Sequence, residues 1–389
     1  MRQTNPSYLC IYLPSVTGHH LTYLDKVLSA LDKDEKVLIL TPATNAVFEA
    51  ISKKVDKVIF YRKTFKSNSF IQSYYECKSI AELARQTPVK KIIAPTGTTA
   101  AWLWPIFNFS GRWKYHFLML SPGLLTNASY GEKLIKLLLL CLHPKNTLST
   151  IDNASYDHPG LLGYFIRSRF KLIPDPIDKQ EPITKRAAYE QFGLKKGFFY
   201  LLACGAMNTH PRKNAIMLIK SVAAISAKHK VKLVLAGKLS KEIQTYIDNL
   251  GEEQRDRFHV INRYLSDQEL MDITNCADLV CALYAHHYSP SGIVMRAIKT
   301  NTPVLVPNYH WFKYMVENFN VGYLLDSLDE RSVSEMILNI KDEQAEPSFN
   351  CCEKLLAYSS AQNFQAHWRD RVYETRESME YEEVRTSCV

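Results

Sequence analysis

The sequence has no apolar run long enough to cross a bilayer: the longest, LIKLLLLCL from Leu134 to Leu142, falls far short of the roughly 20 residues a spanning helix needs. The opening stretch MRQTNPSYLCIYLP carries neither a signal-peptide core nor a small-residue cleavage site, so a cytoplasmic chain is expected. No Cys-x-x-Cys pair occurs among the nine cysteines, which are scattered and odd in number. That spacing excludes a cysteine-pair zinc or redox site and suits a reducing compartment. Asp-x-Asp occurs once, as Asp32 and Asp34 in LDKDEK, a solvated turn before a strand, so no metal site and no cofactor are expected. No block rich in proline and glycine, or in charge of one sign, is long enough to read as disordered.

What is present is a globular composition, 46% hydrophobic and 22% charged, on a chain of 389 residues, more than one hydrophobic core usually serves. The net charge of +9 favours anionic partners. Basic pairs such as Lys195 and Lys196 are dispersed and no nucleic-acid-binding motif appears, so nucleic acid is not expected and a membrane-associated acceptor remains.

The first half alternates short β-branched or aromatic runs (YLCIYLP, KVLILT, KVIFY, KKIIAP, KYHFLML) with helical patterns. Such alternation predicts a parallel sheet with crossover helices on both faces, because parallel strands need long connections. The segment KLIPDPIDKQEP, Lys171 to Pro182, holds three prolines and reads as a linker, with Asp175 and Asp178 capping turns. The alternation then restarts: a helix near Thr184 to Gln191, FFYLLACG, KLVLAG, FHVINRY, LVCALYA and TPVLVPN. Capping boxes are expected at Ser266 with Glu269 and at Ser327 with Glu330. A last helix carries Phe364, Trp368 and Tyr373, and the polar tail from Glu374 is expected to fray.

Two constellations can carry chemistry. In His286 to Asn308, Ser289, Pro290, Ser291 and Gly292 form the turn between a buried strand and the helix Ile293 to Lys299. A helix start offers backbone N–H groups and a positive dipole end to a diphosphate, and a glycine lets it approach; the alternative is an ordinary strand-to-helix turn. In CGAMNTHPRKN, Gly205 permits a sharp turn after a strand while Arg212 and Lys213 bring two cations, suited to phosphate oxygens; the alternative is a solvated basic turn.

The order of pieces in the second half is specific: LIPDPID, a strand ending at Gly205 followed by Lys213, KLVLAG ending at Gly237, FHVINRYLSDQELMDITNCADLVCAL, SGIVMRAI, TPVLV and VGYLLD. Over these residues the chain resembles the C-terminal domain of the group 1 family of retaining glycosyltransferases, which have two Rossmann-like domains facing a central cleft, the GT-B architecture. The resemblance implies an α/β fold with an acceptor-side domain over 1–174, a donor-binding domain over 175–360, and a C-terminal helix over 361–389 packing back on the first domain, followed by the tail. It implies a hexosyl transfer from a nucleotide-sugar donor to a glycan, polysaccharide or lipid-linked acceptor without a metal. The diphosphate falls to Lys213, to Arg212 and to the helix start at Ser291, Gly292 and Ile293, and the nucleoside to Asn262, Arg263 and Tyr264. The first-domain loop SVTGHHLTYL, with Gly18 and His20, faces donor phosphates and acceptor.

The sequence also departs from that pattern. Where the family has two glutamates, Arg296 takes the second position, and Tyr288 or Ser289 the first. Ala206 stands where an arginine is usual. The first-domain histidine position falls to Ser121 at a strand end, with His116 in mid-strand. Tyr288, His20 and Ser121 are therefore the catalytic candidates. Two other readings stay open, a catalytically silent binding or scaffold protein and a nucleotide-sugar epimerase. Gly131 to Lys145, apolar with basic ends, reads first as a core crossover helix and alternatively as a helix lying on a membrane, which would make the protein peripherally attached to the inner face.

Overall fold

The computed structural model describes residues 7–16, 18–42, 46–61, 69–125, 129–177, 179–209, 213–343 and 347–381. The chain divides into two compact units. Unit 1 runs to Pro176 and takes up the chain again from Tyr358, and unit 2 spans Ile177–Ala357.

Unit 1 is built in the order β1 (Tyr8–Tyr12), α1 (His19–Ala30), β2 (Val37–Thr41), α2 (Ala46–Ser52), β3 (Lys57–Phe60), α3 (Ser69–Gln86) and β4 (Val89–Ala94). There follow α4 (Thr98–Ala101), α5 (Trp104–Phe107), β5 (Lys114–Met119), α6 (Tyr130–Cys141), β6 (Leu148–Thr150), α7 (Asn153–Tyr156), α8 (Gly160–Arg169) and β7 (Phe170–Leu172). Unit 2 continues with α9 (Lys185–Phe192), β8 (Phe199–Cys204), α10 (Ala215–Ala224), β9 (Val231–Ala236), α11 (Lys241–Asp248), α12 (Glu252–Arg255) and β10 (Phe258–Ile261). Its remainder is α13 (Asp267–Cys276), β11 (Leu279–Cys281), α14 (Gly292–Lys299), β12 (Val304–Pro307), α15 (His310–Phe319), β13 (Gly322–Leu325), α16 (Glu330–Glu343) and α17 (Cys352–Tyr358). The last helix, α18 (Ala361–Tyr373), belongs to unit 1.

Both sheets are doubly wound. The first has seven strands ordered β3-β2-β1-β4-β5-β6-β7, the second six ordered β10-β9-β8-β11-β12-β13, and the pairings are parallel throughout. Central strands such as β2 and β8 are covered on both faces, which is why they read as unbroken apolar runs, whereas the edge strands β3 and β10 are only half-buried. The strand order reverses between β1 and β4 and between β8 and β11. At those switch points the two flanking loops part and leave a crevice beyond the strand ends, where open α/β sheets bind ligands.

Helix α18 lays Phe364 and Trp368 into the core of unit 1 beside Leu9, Leu24 and Val27. Arg369 fixes it to Asp32 at 2.9 Å, and the Asp32 N–H donates to the Tyr373 hydroxyl at 2.9 Å. The Asp-x-Asp turn is thus an anchor for the last helix. Asp175 likewise accepts the Tyr23 hydroxyl instead of capping a turn; Asp178 lies outside the described residues.

Three further expectations are corrected. The Ser266 and Glu269 capping box is present, but α16 starts at Glu330 itself, so Asp329 caps it by accepting the Ser332 N–H at 2.9 Å. The tail from Glu374 does not fray as far as it is described: Asp370 accepts from the Glu377 and Ser378 N–H groups and the Thr375 and Ser378 hydroxyls, and Tyr381 is buried. Helix α6 is not a core helix, since Leu140 is the residue it buries. Among the described residues no helix is long and apolar enough to cross a membrane.

Candidate functional site

In unit 2 the β8–β11 switch point gathers the two sequence constellations. After β8 the chain turns at Gly205, whose φ of +95° favours glycine. The neighbouring β9 end comes so close that a Cβ on Gly237 would lie 2.3 Å from the Gly205 carbonyl oxygen. These two glycines let the strand ends pack backbone on backbone, with the Gly205 N–H donating to Ala236 at 2.9 Å.

Lys213 then folds back over the turn. Its Nζ lies 3.0 Å from where Gly205 would carry a Cβ and 5.7 Å from the centre of the Tyr284 ring. The next residue, Asn214, in the left-handed region at φ 48°, starts α10 and ties this loop to the β11 end by donating to the Leu283 carbonyl at 2.9 Å. Regular strand ends at Cys281, and residues 282–291 form a longer connection to α14 than the sequence suggested. Tyr309 pins that connection: its hydroxyl donates to the Tyr284 carbonyl and accepts the His287 N–H.

Helix α14 begins at Gly292, one residue earlier than expected. Ser291 at its N-cap makes no capping hydrogen bond with its side chain, and no acidic residue sits in the first turn. The opening N–H groups, at Gly292 and Ile293, therefore face the switch point with the positive end of the helix dipole. Gly292 itself is exposed, so a ligand can reach this backbone.

Arg296 adds a second described cation. It reaches back along α14 to within 3.9 Å of where Gly292 would carry a Cβ, and its Nη2 donates to Asp267 at 2.9 Å. Burial pushes the Cys204 thiol up, against the pull of both Arg296 and Lys213. Both cations therefore act on the carboxyl end of β8. In the sequence Arg296 was only a departure from a carboxylate pattern. An arginine at i+4 from the first helical residue is the signal that it can reach the helix start. Arg212 lies outside the described residues.

The expected nucleoside residues are more occupied. The Asn262 side chain bridges strand ends, accepting the Leu239 N–H at 3.0 Å and donating to Gln244 at 3.3 Å. Arg263 is held by Glu269 and holds that carboxyl down to about 2, helped by the Ser266 N–H. Tyr264 is exposed. Beside them a cavity of about 630 Å³ is lined by Met207, Lys238, Ser240, Lys241 and Asn262, of which the motif reading passed over Lys238, Ser240 and Lys241. The Tyr288 ring packs at a tilt to Tyr309 and edge-on to His310, with ring centres 5.8 and 5.5 Å away, and Ser289 is half-buried beside it.

In unit 1 Gly18 and His20 stand at the β1–β4 switch point, and Ser121 follows the next strand, β5. Gly18, at φ +57°, begins α1, and a Cβ there would meet nothing within 4 Å. His20 is held through Nδ1 by the Thr96 hydroxyl at 2.7 Å and stacks on His19. Ser121, after β5, donates to the buried Asp152 at 2.7 Å. Asp152 also accepts the Ser155 hydroxyl and N–H, at 2.6 and 3.0 Å. His116, by contrast, is a core residue, bonded to Ser149 at 2.8 Å and pushed well below the ordinary histidine range by burial. Among the described residues no group of three or more His, Cys, Asp or Glu is placed to hold a metal ion.

Two doubly wound parallel sheets in series, the second with cations and a helix start at its switch point, define a two-domain α/β protein of the GT-B type. Residues 185–354, which make up most of unit 2, match the family model described as glycosyl transferases group 1. No curated protein sequence matches the chain. Among solved structures, Anabaena Alr3699/HepE in complex with UDP is similar over 95% of this chain and 100% of that one, with 16% identity and a TM-score of 0.65. Sucrose-phosphate synthase from Thermosynechococcus elongatus is similar over 94% and 98%, with 14% identity and a TM-score of 0.66. WaaG, a glycosyltransferase involved in lipopolysaccharide biosynthesis, is similar over 98% of each chain, with 13% identity and a TM-score of 0.57.

Proposed function

We propose that the protein transfers a hexosyl group, with retention, from a nucleotide-diphosphate sugar to a glycan, polysaccharide or lipid-linked acceptor, and needs no resident metal or cofactor to do so. The observation that carries this reading is the arrangement of Lys213 over Gly205 and Arg296 beside Gly292, at the start of a helix that Ser291 does not cap. As the bond between the sugar and the diphosphate breaks, negative charge collects on the leaving phosphate. Fixed cations and N–H dipoles stabilise that charge without reorganising. In this proposal Lys213, Arg296 and the Gly292 and Ile293 N–H groups take the diphosphate, with Arg212 and Ser289 alongside. Asn262, Arg263 and Tyr264 border the nucleoside, and Gly18, His20, Ser121 and Tyr288 serve the sugar and the acceptor hydroxyl. Uridine diphosphate and uridine diphosphate glucose, which similar structures contain, are the first ligands to try. Cys10, Cys77, Cys141, Cys204, Cys276 and Cys281 are free thiols, which suits the cytoplasmic location included in the proposal.

A screen of nucleotide diphosphates and nucleotide sugars by thermal shift tests the donor site, since binding to the native state raises the unfolding midpoint. If no nucleotide at millimolar concentration raises it, the donor assignment fails. A second reading, a binding protein without turnover, draws on Arg296 and its ion pair to Asp267 where the resembling family has a carboxylate. Donor hydrolysis or transfer that falls in Lys213→Ala but not in Lys228→Ala rejects it.

A further inference from the structure

A crossover helix in an α/β unit normally turns its apolar stripe inward and its polar face to water. Helix α6 buries Leu140 and half-buries Leu137 and Leu139, yet leaves a second apolar face outside. Leu134, Leu138 and Leu142, spaced i, i+4, i+8 along one face, are 55%, 58% and 56% exposed, and Ile135 beside them is 50% exposed. The cation that would ordinarily decorate the outer face, Lys136, is instead drawn in, 13% exposed, paired with Glu132 and lying over the Trp102 ring.

The neighbouring helix continues the surface. Strands β4 to β7 advance in one direction across the sheet, so right-handed connections set α6 and α8 side by side on the same face. On α8, Leu161 and Tyr164, three residues apart, are 88% and 70% exposed. Arg169 at the end of α8 donates to the His143 carbonyl, just past α6, at 3.3 Å, which ties the two helix ends together. Because the strands are parallel, the α6 end lies at the sheet edge where β5 begins, and exposed Arg112, Lys114 and Lys145 join Arg169 there. Between residues 101 and 172 eight Lys or Arg stand against three Asp or Glu.

We propose that this face of α6 and α8 docks on an anionic lipid bilayer. Leu134, Ile135, Leu138 and Leu142 would enter the headgroup boundary and Tyr164 would lie at its level, while the cations at the sheet edge meet lipid phosphates. Leucines with a tyrosine on one side and lysine and arginine at the border are the composition of interfacial helices. Protein interfaces, in contrast, are depleted in lysine. The surface shares no residue with the donor site, so its failure and that of the transferase reading are separate.

Co-sedimentation of the full chain with vesicles tests it. Phosphatidylglycerol mixed with phosphatidylcholine is expected to pull the protein down at low ionic strength, and phosphatidylcholine alone or high salt much less so. Leu134→Glu with Leu138→Glu, two exposed positions whose unfolding midpoint should hold, is expected to weaken binding by about tenfold or more. Wild-type protein left in the supernatant with anionic vesicles at low salt overturns the proposal, and so does binding that the double variant leaves unchanged. A dimer in light scattering that the double variant splits also overturns it, assigning the face to a second copy.

Discussion

Replacing Lys213 by alanine removes one of the two described cations that act on the β8 end while leaving the fold of the turn intact. The Lys213 ammonium sits 3.0 Å from where Gly205 would carry a Cβ, above the backbone that a diphosphate must approach. Two unit charges about 4 Å apart attract by about 1 kcal/mol in water and about 4 kcal/mol near a protein surface. Lys213 is half-buried, which places its contribution between those limits, at about 2 kcal/mol, or about thirtyfold in Kd. Arg296 and the α14 start remain, so binding weakens but is not abolished. Isothermal titration with uridine diphosphate at low and high salt measures the change, and the difference between wild type and Lys213→Ala should shrink as salt screens the pair. Lys228→Ala, in the short turn before β9 at the opposite end of the sheet, should leave Kd unchanged. A weakening below about threefold, or an equal effect from Lys228→Ala, would refute the electrostatic reasoning.

Other outcomes follow from the same geometry. Gly237→Ala places a Cβ 2.3 Å from the Gly205 carbonyl oxygen at φ +134°, so unit 2 should lose about 3 kcal/mol or more in chemical denaturation. Trp368→Ala, at a side chain 1% exposed, should cost unit 1 about 3–5 kcal/mol; a change under about 1 kcal/mol would show that α18 is not part of that core. Burial holds His143 and His367 down at about 4. The unfolded chain therefore binds their protons first, and the stability of unit 1 should fall as pH drops from about 6.5 to about 4. Glutamine in place of His367 should flatten that slope in melts across the same window, and an unchanged slope would count against it.

The parallel sheets were legible because strands covered on both faces must be apolar throughout, as in VLILT and FYLLAC. Strands β6 and β7 were not, since three residues each, LST and FKL, carry too little pattern to separate from loop. Lys213, Gly205 and the α14 start were visible because glycine and a following cation mark a strand-to-helix turn. Arg296 was not, because its part depends on a side chain folding back one helical turn. The α6 surface was misread for a plain reason: apolar periodicity marks a face without saying which way it points. Asp152 behind Ser121 and Thr96 behind His20 needed the strand order, which brings together residues 31 and 76 positions apart.

A crystal structure with uridine diphosphate bound puts the main claim to the shortest test. The diphosphate should lie within hydrogen-bond reach of the Gly292 or Ile293 N–H groups, with Lys213 Nζ and the Arg296 guanidinium against its oxygens. Phosphates found instead at Ser240 and Lys241, in the cavity at the start of α11, with Lys213 turned away, would contradict it.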